Sequence, residues 1–520
     1  MAPSTVQEPE AHPSTVMAVV GATRRPWYTQ PHLMQLYFSL TSLILFSSTN
    51  GYDGSVGGSQ LALPQWNEFM GYPVGDWLGF INTLYGLATI AIYPFCAWTC
   101  NNWGRKWGIW MGYVTLAIGT AMQTAAPNPG TWIASKVFFG FSVAAYGTSA
   151  PLLVIENAYP GEQGIWAALF NCGWNLGGII AAWTVFGTQN YTSSWSWRLP
   201  GLLQCLLPVV ALPGFLMTLE SPRWLVSVDR LEEARTVLAK LHTGGDTTDP
   251  LVDAEMAEIT QTLRLEKEAA TSTSYIDMIR TPGNRQRTMI SVTLGAYGQL
   301  VGNNVISYYL PLVLDTVGIT NVTDQTLING CLQIWNLLWS VAASFAVDRV
   351  GRRVLFLTST ITMLISYILV TGLSGSFANS GSHAVGIAAI PMIFVYFAGY
   401  DIALVPLIIS YPCEIWPYAM RARGLTISQI SASVFGVAQT FINPIGLQNI
   451  GWKFYCVFIV FIAMILVNVY FGYPETKGAT LERMALLFDS DDAAIESIDS
   501  KLQVETVEKG DITKVSVEAV

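Results

Sequence analysis

The strongest constraint on the fold of this chain is a succession of long apolar runs separated by short polar segments. Each run holds about 18–25 apolar residues, a length that crosses the hydrocarbon core of a bilayer as a helix. Six runs fall near residues 34–58, 77–98, 107–125, 131–155, 164–187 and 198–218. Six more fall near 287–312, 326–347, 353–373, 386–411, 424–446 and 451–472. Because a backbone in lipid must satisfy its own hydrogen bonds, the runs predict an all-α membrane protein with twelve transmembrane helices.

The composition excludes several other classes of protein. Only 12% of the 520 residues are charged, against roughly 25% in soluble domains, so the lipid bilayer is the predicted partner. The net charge of −9 lies largely in the polar ends and the central loop, and we expect no nucleic-acid partner. The seven Cys show no metal-ligand spacing, and the chain has no nucleophile motif or phosphate-binding loop. We therefore expect no metal, no cofactor and no enzymatic activity.

Two charged turns indicate that the chain is duplicated. Asn101-Asn-Trp-Gly-Arg-Lys106 and Asp348-Arg-Val-Gly-Arg-Arg353 each separate two apolar runs, and they lie about 250 residues apart. The stretch that begins at Glu156 likewise returns in Glu414–Gly424. Matching landmarks in the same order predict two related six-helix bundles, an arrangement typical of transporters.

The chain divides into five predicted segments. They are a disordered cytosolic N-terminus (1–33), an N-terminal six-helix bundle (34–218), a cytosolic loop with short amphipathic helices (219–286), a C-terminal six-helix bundle (287–472) and a cytosolic tail (473–520). Lys and Arg concentrate in the loops placed inside, as expected for cytoplasmic loops. The glycosylation sequons at Asn190 and Asn321 fall in outer loops, and we predict that both are glycosylated. The predicted location is the plasma membrane, with both termini in the cytosol.

Several motifs resemble those of the sugar porter family of the major facilitator superfamily, and within it the fungal branch that includes disaccharide permeases. They include Gly51–Gly54, Glu220–Leu225, Gly298–Pro311, Asp348–Arg353 and Pro474–Gly478. The resemblance runs from about residue 50 to 480. It implies the major facilitator superfamily fold, in which two pseudo-symmetric six-helix bundles rock about a central site.

The resemblance assigns the charged turns and the nearby helix ends to an inner gate. Charge-assisted pairs between Arg and carboxylate groups would hold such a gate shut. Because Asn101 and Gln163 stand where the family has an acidic residue and an Arg, we predict a weaker latch in the N-terminal half. The alternative is that the charges only anchor the topology. The candidate gate residues are Arg105, Lys106, Glu156, Asp348, Arg352, Arg353, Glu414, Arg421, Arg423 and Glu475.

A sugar site needs amides and hydroxyls as two-way hydrogen-bonding groups, and aromatic faces for the C–H side of the ring. The alternative for each polar residue is that it joins helices within lipid. The tenth run lacks the Trp that hexose carriers of the family use for stacking, and Gly298 replaces a family Gln. We therefore predict a roomier, more apolar pocket, which suits a disaccharide, a polyol or a less sugar-like metabolite at least as well as glucose. The resemblance places sugar contacts at Gln299, Asn304, Asn336, Asn443 and Asn171, and the seventh run adds Asn303 and Tyr308.

Asp53 is a carboxylate within the first apolar run. A charged group at the bilayer centre costs roughly 2.5–3.5 kcal/mol, so we expect a function or a partner for it. Lys136 in the fourth run is the predicted partner, and movement of Lys136 would change the proton affinity of Asp53, as proton symport requires. The alternative is a fixed structural ion pair. Asp401 in the tenth run is a second unexpected carboxylate and a further candidate for proton coupling.

The predicted function is secondary active transport of a sugar or sugar-like solute by alternating access, with proton symport. The main alternative is export of a fungal secondary metabolite or another polar solute on the same fold. A nutrient sensor that does not transport is more remote, because only about 40 residues follow Lys477. The sequence does not determine which solute is carried or in which direction. It also does not distinguish proton coupling from facilitated diffusion, and it does not determine the oligomeric state.

Overall fold

The computed structural model describes residues 27–272, 274–477 and 488, and the regular elements within these ranges are helices. Most of the predicted disordered N-terminus (residues 1–26) lies outside the described part, as do residues 478–487 and 489–520 of the predicted tail. We number the α-helices α1 to α19 in chain order.

The N-terminal half has six membrane-crossing elements. Five are single helices, and the sixth consists of α7 and α8 joined by one tight turn. The elements of this half are α1 (Pro31–Gln60), the short α2 (Pro64–Met70), α3 (Gly75–Trp103), α4 (Arg105–Thr124), α5 (Pro129–Asn157), α6 (Gln163–Thr188), α7 (Trp195–Leu202) and α8 (Leu206–Met217).

The central insert and the C-terminal half follow. The insert forms α9 (Pro222–Ser227), α10 (Leu231–His242), α11 (Pro250–Ser272) and α12 (Asp277–Arg280). The C-terminal half forms α13 (Pro282–Leu300), α14 (Asn303–Asp315), α15 (Val322–Val350), α16 (Arg352–Ser380), α17 (His383–Ile415), α18 (Tyr418–Ile450) and α19 (Tyr455–Gly472). With α13 and α14 counted as one crossing, this half also crosses six times.

Within the described residues, seven helical segments are long and apolar enough to cross a membrane by length and composition alone. One of these segments, Arg423–Gly472, covers both α18 and α19. Other crossing helices carry polar side chains that are buried inside the bundle, as α1 does with Asn50 and Asp53. Such residues lower the hydropathy of a helix without exposing a polar group to lipid.

The seventh crossing is broken, whereas the apolar run 287–312 predicts one helix. The break lies at Gly302, which has φ of +91°, and a side chain there would collide with the ring of Tyr367. Breaking a helix in a membrane frees backbone carbonyls that must find other donors. Three tyrosine hydroxyls supply them at 3.1 Å each: Tyr400 to Gly298, Tyr396 to Val301 and Tyr367 to Gly302.

The first and fifth crossings of each half pack closely through glycine. A Cβ atom added to Gly51 or Gly177 would meet the backbone of the facing helix, α6 or α1 respectively. In the C-terminal half, Gly295 of α13 lies in the same way against the backbone of α18 at Ser428. Small residues allow such close approach of helices in a membrane. The repeated contact agrees with the duplication seen in the sequence.

Close contacts between the two halves include a group at one end of the bundle. We call the end that carries the turns 101–106 and 348–353 the basic end. At the other end α3 lies against α18, where a Cβ atom on Gly79 would be 2.6 Å from the carbonyl oxygen of Phe441. Hydrogen bonds also join the halves on that side: Thr326 donates to Gln189 at 2.9 Å and Asn329 donates to Ser59 at 2.8 Å. The structure is therefore closed at the end opposite the basic end.

Candidate functional site

A cavity of about 230 Å³ lies between the two halves in the middle of the bundle. Helices α1, α3, α5 and α6 form its wall on one side, and α13, α14 and α18 form the other. Its polar and aromatic lining residues are Asp53, Asn82, Thr83, Tyr85, Thr89, Tyr93, Lys136, Trp174, Gln299, Asn304, Tyr308, Ser433 and Thr440. The cavity therefore presents amides, hydroxyls, aromatic rings and one carboxylate–ammonium combination to a small solute.

The carboxylate–ammonium combination is Asp53 of α1 and Lys136 of α5. Both side chains are buried, at 6% exposure each. In the part of the chain that the structure describes, neither carboxylate oxygen of Asp53 has a hydrogen-bond partner. The Lys136 ammonium lies instead 4.5 Å from the ring centroid of Trp132. In this conformation Asp53 and Lys136 therefore do not form the ion pair that was the alternative to proton coupling.

The broken crossing brings two predicted residues together. Asn304, in the first turn of α14, donates to the Gln299 side chain, near the end of α13, at 3.0 Å. On a continuous helix, residues five apart would diverge around the axis, so the break at Gly302 is what allows this contact. Both side chains and Tyr308 line the cavity.

Four other predicted binding residues do not line this cavity. Asn303 points elsewhere and accepts a hydrogen bond from Ser307 at 3.0 Å. Asn336 and Asn443 are buried within the C-terminal half, at 8% and 0% exposure, and Asn171 is exposed on α6. Asp401 is also away from the cavity, and its carboxyl group lies beside the side chain of Ser340. The structure therefore separates the predicted set into a cavity group and a scattered group.

One whole wall of the cavity, which α3 provides, was not predicted from the sequence. Its lining residues recur at helical spacing, at positions 82, 83, 85, 86, 89, 90 and 93. Polar and aromatic residues that recur on one helix face inside an apolar run were the available signal. Trp174 and Thr440 are two further lining residues that were not predicted from the sequence.

The structure does not support the prediction that Gly298 enlarges the pocket. A Cβ atom there would lie 2.6 Å from Cδ1 of Ile408 on α17, so Gly298 marks a close helix contact outside the cavity. Among the described residues of α17, none lines the cavity. The missing Trp of the tenth crossing therefore has no direct counterpart in this cavity.

At the basic end, one carboxylate in each half caps a helix N-terminus. Glu220 accepts hydrogen bonds from the backbone N–H groups of Arg105 and Lys106 at 3.0 and 3.1 Å. Glu475 accepts from those of Arg352 and Arg353 at 2.9 and 3.0 Å. Gly104 and Gly351 precede these helices with φ of +102° and +105°, and a side chain on either would crowd the carboxylate. The same pairing of a glycine with a distant Glu is therefore present once in each half.

Each half also has an Arg–Glu ion pair. Arg105 binds both carboxylate oxygens of Glu156 at 3.0 Å, and Arg352 binds one oxygen of Glu414 at 3.1 and 3.2 Å. The exposed fractions of the side chains are 11% and 7% in the first pair, and 13% and 27% in the second. The pair in the N-terminal half is thus the more buried of the two, and the weaker N-terminal latch stays a prediction.

These two ion pairs join helices of the same half: α4 to α5, and α16 to α17. The halves can therefore separate at the basic end without breaking either pair.

Of the other gate candidates, Lys106 donates to the carbonyl of Thr218 at 2.7 Å and Arg353 to that of Tyr470 at 2.7 Å. Arg423 lies 5.6 Å from the ring of Tyr275. Arg421 stands two residues earlier on α18, and the side chain of Asp348 lies outside the described part of the chain. Their role in gating stays a prediction.

Both sequons lie at the end opposite the basic end. Asn190 lies two residues after the end of α6 and Asn321 directly precedes α15, and both are exposed. The Asn321 side chain accepts a hydrogen bond from the backbone N–H of Thr323 at 2.8 Å. Glycosylation of these residues stays a prediction that this placement permits.

Two six-helix halves around a central polar cavity define a membrane transporter. The chain belongs to the sugar (and other) transporter family, whose model matches residues 41–488. It is a transporter and not an enzyme.

Individual relatives agree with this membership. The chain is 30% identical over 401 residues to the MFS-type transporter oryC of Aspergillus oryzae, covering 75% of this chain and 73% of that protein. It is 25% identical over 476 residues to high-affinity glucose transporter 1 of Candida albicans, covering 88% and 87%. The inward-open structure of the xylose transporter XylE from E. coli superimposes with a TM-score of 0.72 at 20% identity, covering 87% of this chain and all of that one. The fold is therefore the twelve-helix major facilitator superfamily fold.

Proposed function

We propose that this transporter carries a sugar or a sugar-like polar solute, one molecule at a time, through the cavity between its halves. The observation that carries the proposal is the composition of that cavity. Gln299 and Asn304 offer amides from one half, Asn82 offers an amide from the other, and Tyr85 and Tyr308 offer rings with hydroxyls. Amides accept and donate, as the hydroxyls of a sugar require, while aromatic faces suit the C–H side of its ring.

Contacts from both halves give the solute a means to drive alternating access. A solute bound by α3 on one side and by α13 and α14 on the other stabilises whichever arrangement lets both sides reach it. The solute therefore favours a closed arrangement from which either end can open. Names of relatives support this substrate class, since one is a glucose transporter and a structural neighbour is a xylose transporter.

We propose that a proton accompanies the solute through Asp53. A buried carboxylate without a partner is stable when it carries a proton, and a nearby ammonium stabilises the ionised form. In this conformation Lys136 is held against Trp132 instead of Asp53. Movement of Lys136 from Trp132 to Asp53 would release the proton, and the return would allow a new one to bind.

The test is uptake by the purified full chain in sealed liposomes, with a panel of labelled hexoses, pentoses, disaccharides, polyols and organic acids. We expect one sugar or sugar-like class to accumulate when the outside is more acidic, and a protonophore to abolish the accumulation. Asp53→Asn should lose accumulation but keep exchange of labelled for unlabelled solute. Accumulation by Asp53→Asn would refute the role of Asp53, and transport of acids alone would refute the substrate class.

Export of a less sugar-like metabolite is the second candidate function. It is favoured by the absence of α17 residues from the described lining of the cavity, which leaves the site without the tenth-crossing ring expected in a hexose carrier. The same liposomes, loaded with solute and exposed to an acidic exterior, distinguish the two directions. Solute that leaves against its gradient as protons enter supports export.

We further propose a plasma-membrane location with the basic end and both termini in the cytosol. The positive-inside rule supports this orientation, because Lys and Arg cluster at the basic end while both sequons lie at the other. Removing a sequon with Asn190→Gln should increase gel mobility, as enzymatic deglycosylation does. Epitope tags at both termini should resist antibody until the plasma membrane is permeabilised, and labelling of either tag on intact cells would overturn the orientation.

A further inference from the structure

A second buried carboxylate, Asp401 of α17, lies away from the cavity. Its exposure is 3%, and among the described residues its Oδ2 atom has no hydrogen-bond partner. Its carboxyl group lies beside the hydroxyl of Ser340 on α15, which is 1% exposed. In the described part of the chain, no cation is paired with it. This differs from Asp53, which has Lys136 in the same cavity.

The groups that titrate around Asp401 are phenols. Tyr396 and Tyr400 lie close to it on α17, Tyr367 of α16 packs against Tyr396 at 4.9 Å between ring centroids, and Tyr308 of α14 is near Tyr400. Phenols are neutral at physiological pH and do not compensate a charge. A dry carboxyl group with neutral neighbours is stable in its protonated form.

Ser340 connects Asp401 to the opposite half of the molecule. The Asn175 side chain of α6 donates to the hydroxyl oxygen of Ser340 at 3.1 Å. Asn175 is half-buried and directly follows Trp174, which lines the cavity. A hydroxyl accepts one proton as it donates another, so Ser340 is able to pass a proton between water and Asp401. The amide of Asn175 occupies an acceptor position of Ser340 that such a water would use.

We propose that Asp401 is a second proton-binding residue of this transporter, and that Asn175 of the opposite half closes it off from water through Ser340. Rocking of the halves moves α6 relative to α15. Separation of Asn175 from Ser340 lets water reach the hydroxyl and lets the proton leave Asp401. Return of Asn175 seals the site with its proton bound. The proposal rests on the alternating access of the proposed function, but its test does not require transport.

The test is infrared spectroscopy of the purified full chain in lipid, which detects the C=O stretch of a protonated carboxylic acid. We expect one such band at neutral pH to be lost in Asp401→Asn and kept in Asp53→Asn. Asp324→Asn is the matched control, because Asp324 is exposed at the start of α15 and should contribute no band at neutral pH. If Asp401→Asn removes no band, Asp401 carries no proton and the proposal falls.

The sealing role is tested by titrating the same band. Asn175→Leu and Ser340→Ala should each move its midpoint by about one pH unit or more, since burial accounts for shifts of up to about 3–5 units. Ser340→Thr keeps the hydroxyl and should restore the midpoint, which a merely structural role of Ser340 does not require. An unchanged midpoint in Asn175→Leu would overturn the sealing role. If uptake fails while the band behaves as expected, the proposed function fails and this inference stands.

Discussion

At the scale of single residues, the structure divides the predicted amides by position. Gln299 and Asn304 face the cavity and bond to each other, whereas Asn171, on the neighbouring half, is exposed and lines no part of it. The motif resemblance alone could not make this division, since it weighs all matched positions equally. Residues that line the cavity can therefore be tested by substitution, with Asn171 as the control.

We predict that Asn304→Ala weakens solute binding about three- to tenfold. The variant loses one hydrogen bond to the solute and leaves Gln299 without its partner, and a neutral hydrogen bond contributes about 0.5–1.5 kcal/mol. Solute affinity of the purified protein, measured by scintillation proximity with the best substrate of the panel, gives the result. Asn171→Ala should leave the affinity unchanged. Equal losses in both variants would show that solute binds elsewhere.

Glu475 leads to a prediction about pH. Burial alone would raise the pKa of the Glu475 carboxyl, but the backbone N–H groups of Lys477, Arg352, Arg353 and Thr476 hold that pKa below its ordinary value of 4.5. A lowered pKa means that the ionised cap stabilises the fold above pH 4.5 and is lost as the pH falls through the lowered value. The cap is therefore fully charged across physiological pH.

We expect Glu475→Gln to reduce stability by about 1 kcal/mol at neutral pH, the usual cost of losing a helix cap. The difference from the wild type should stay constant down to about pH 4.5 and shrink below it. Thermal unfolding in detergent, followed by tryptophan fluorescence across this pH range, makes the comparison. Glu68→Gln, at the exposed side of α2, is the control. A difference that already shrinks near pH 6 would contradict the lowered pKa.

At the scale of elements, the apolar runs locate the crossing helices well but not their interruptions. A hydrophobic run of adequate length predicts a crossing, and those near 34–58 and 77–98 correspond to α1 and α3. The break at Gly302 depends instead on three tyrosines far away in sequence, which replace the lost helical hydrogen bonds. No local pattern contains that information. For the same reason, the contact between Asn304 and Gln299 follows only once the break is known.

The break itself can be tested with Gly302→Ala. A methyl group there is strained at φ of +91° and collides with Tyr367. We therefore expect the free energy of unfolding to fall by roughly 1–3 kcal/mol or more, and the unfolding temperature to fall with it. Because the break also positions Asn304, solute affinity should fall together with stability. Gly372→Ala, in open space on α16, should change neither quantity. A stable Gly302→Ala variant with normal affinity would show that the break is dispensable.

At the scale of the whole molecule, the contacts within each half differ in kind from those between the halves. Within a half, ion pairs such as Arg105–Glu156 and glycine-mediated helix packing hold the helices together. Between the halves, on the side opposite the basic end, neutral hydrogen bonds and close backbone contacts dominate. A neutral hydrogen bond contributes about 0.5–1.5 kcal/mol, so a solute that contacts both halves can offset the loss of a few of them. This difference allows two rigid halves to rock against each other.

The contact between α3 and α18 predicts how to hold the molecule open. A Cβ atom on Gly79 would already be 2.6 Å from the carbonyl oxygen of Phe441. The larger side chain of Gly79→Leu would therefore collide with α18, and the end opposite the basic end could not close. We expect uptake to be lost while solute still binds from that side. The distance between labels on Tyr191 and Leu327, both exposed near this end, should increase in pulsed electron spin resonance of a variant whose native cysteines are replaced. Gly187→Leu, where a side chain meets no neighbour, is the matched control and should retain both uptake and the shorter distance. If Gly79→Leu transported normally, closure of this end would not depend on the α3–α18 contact, and the halves would have to alternate by another motion.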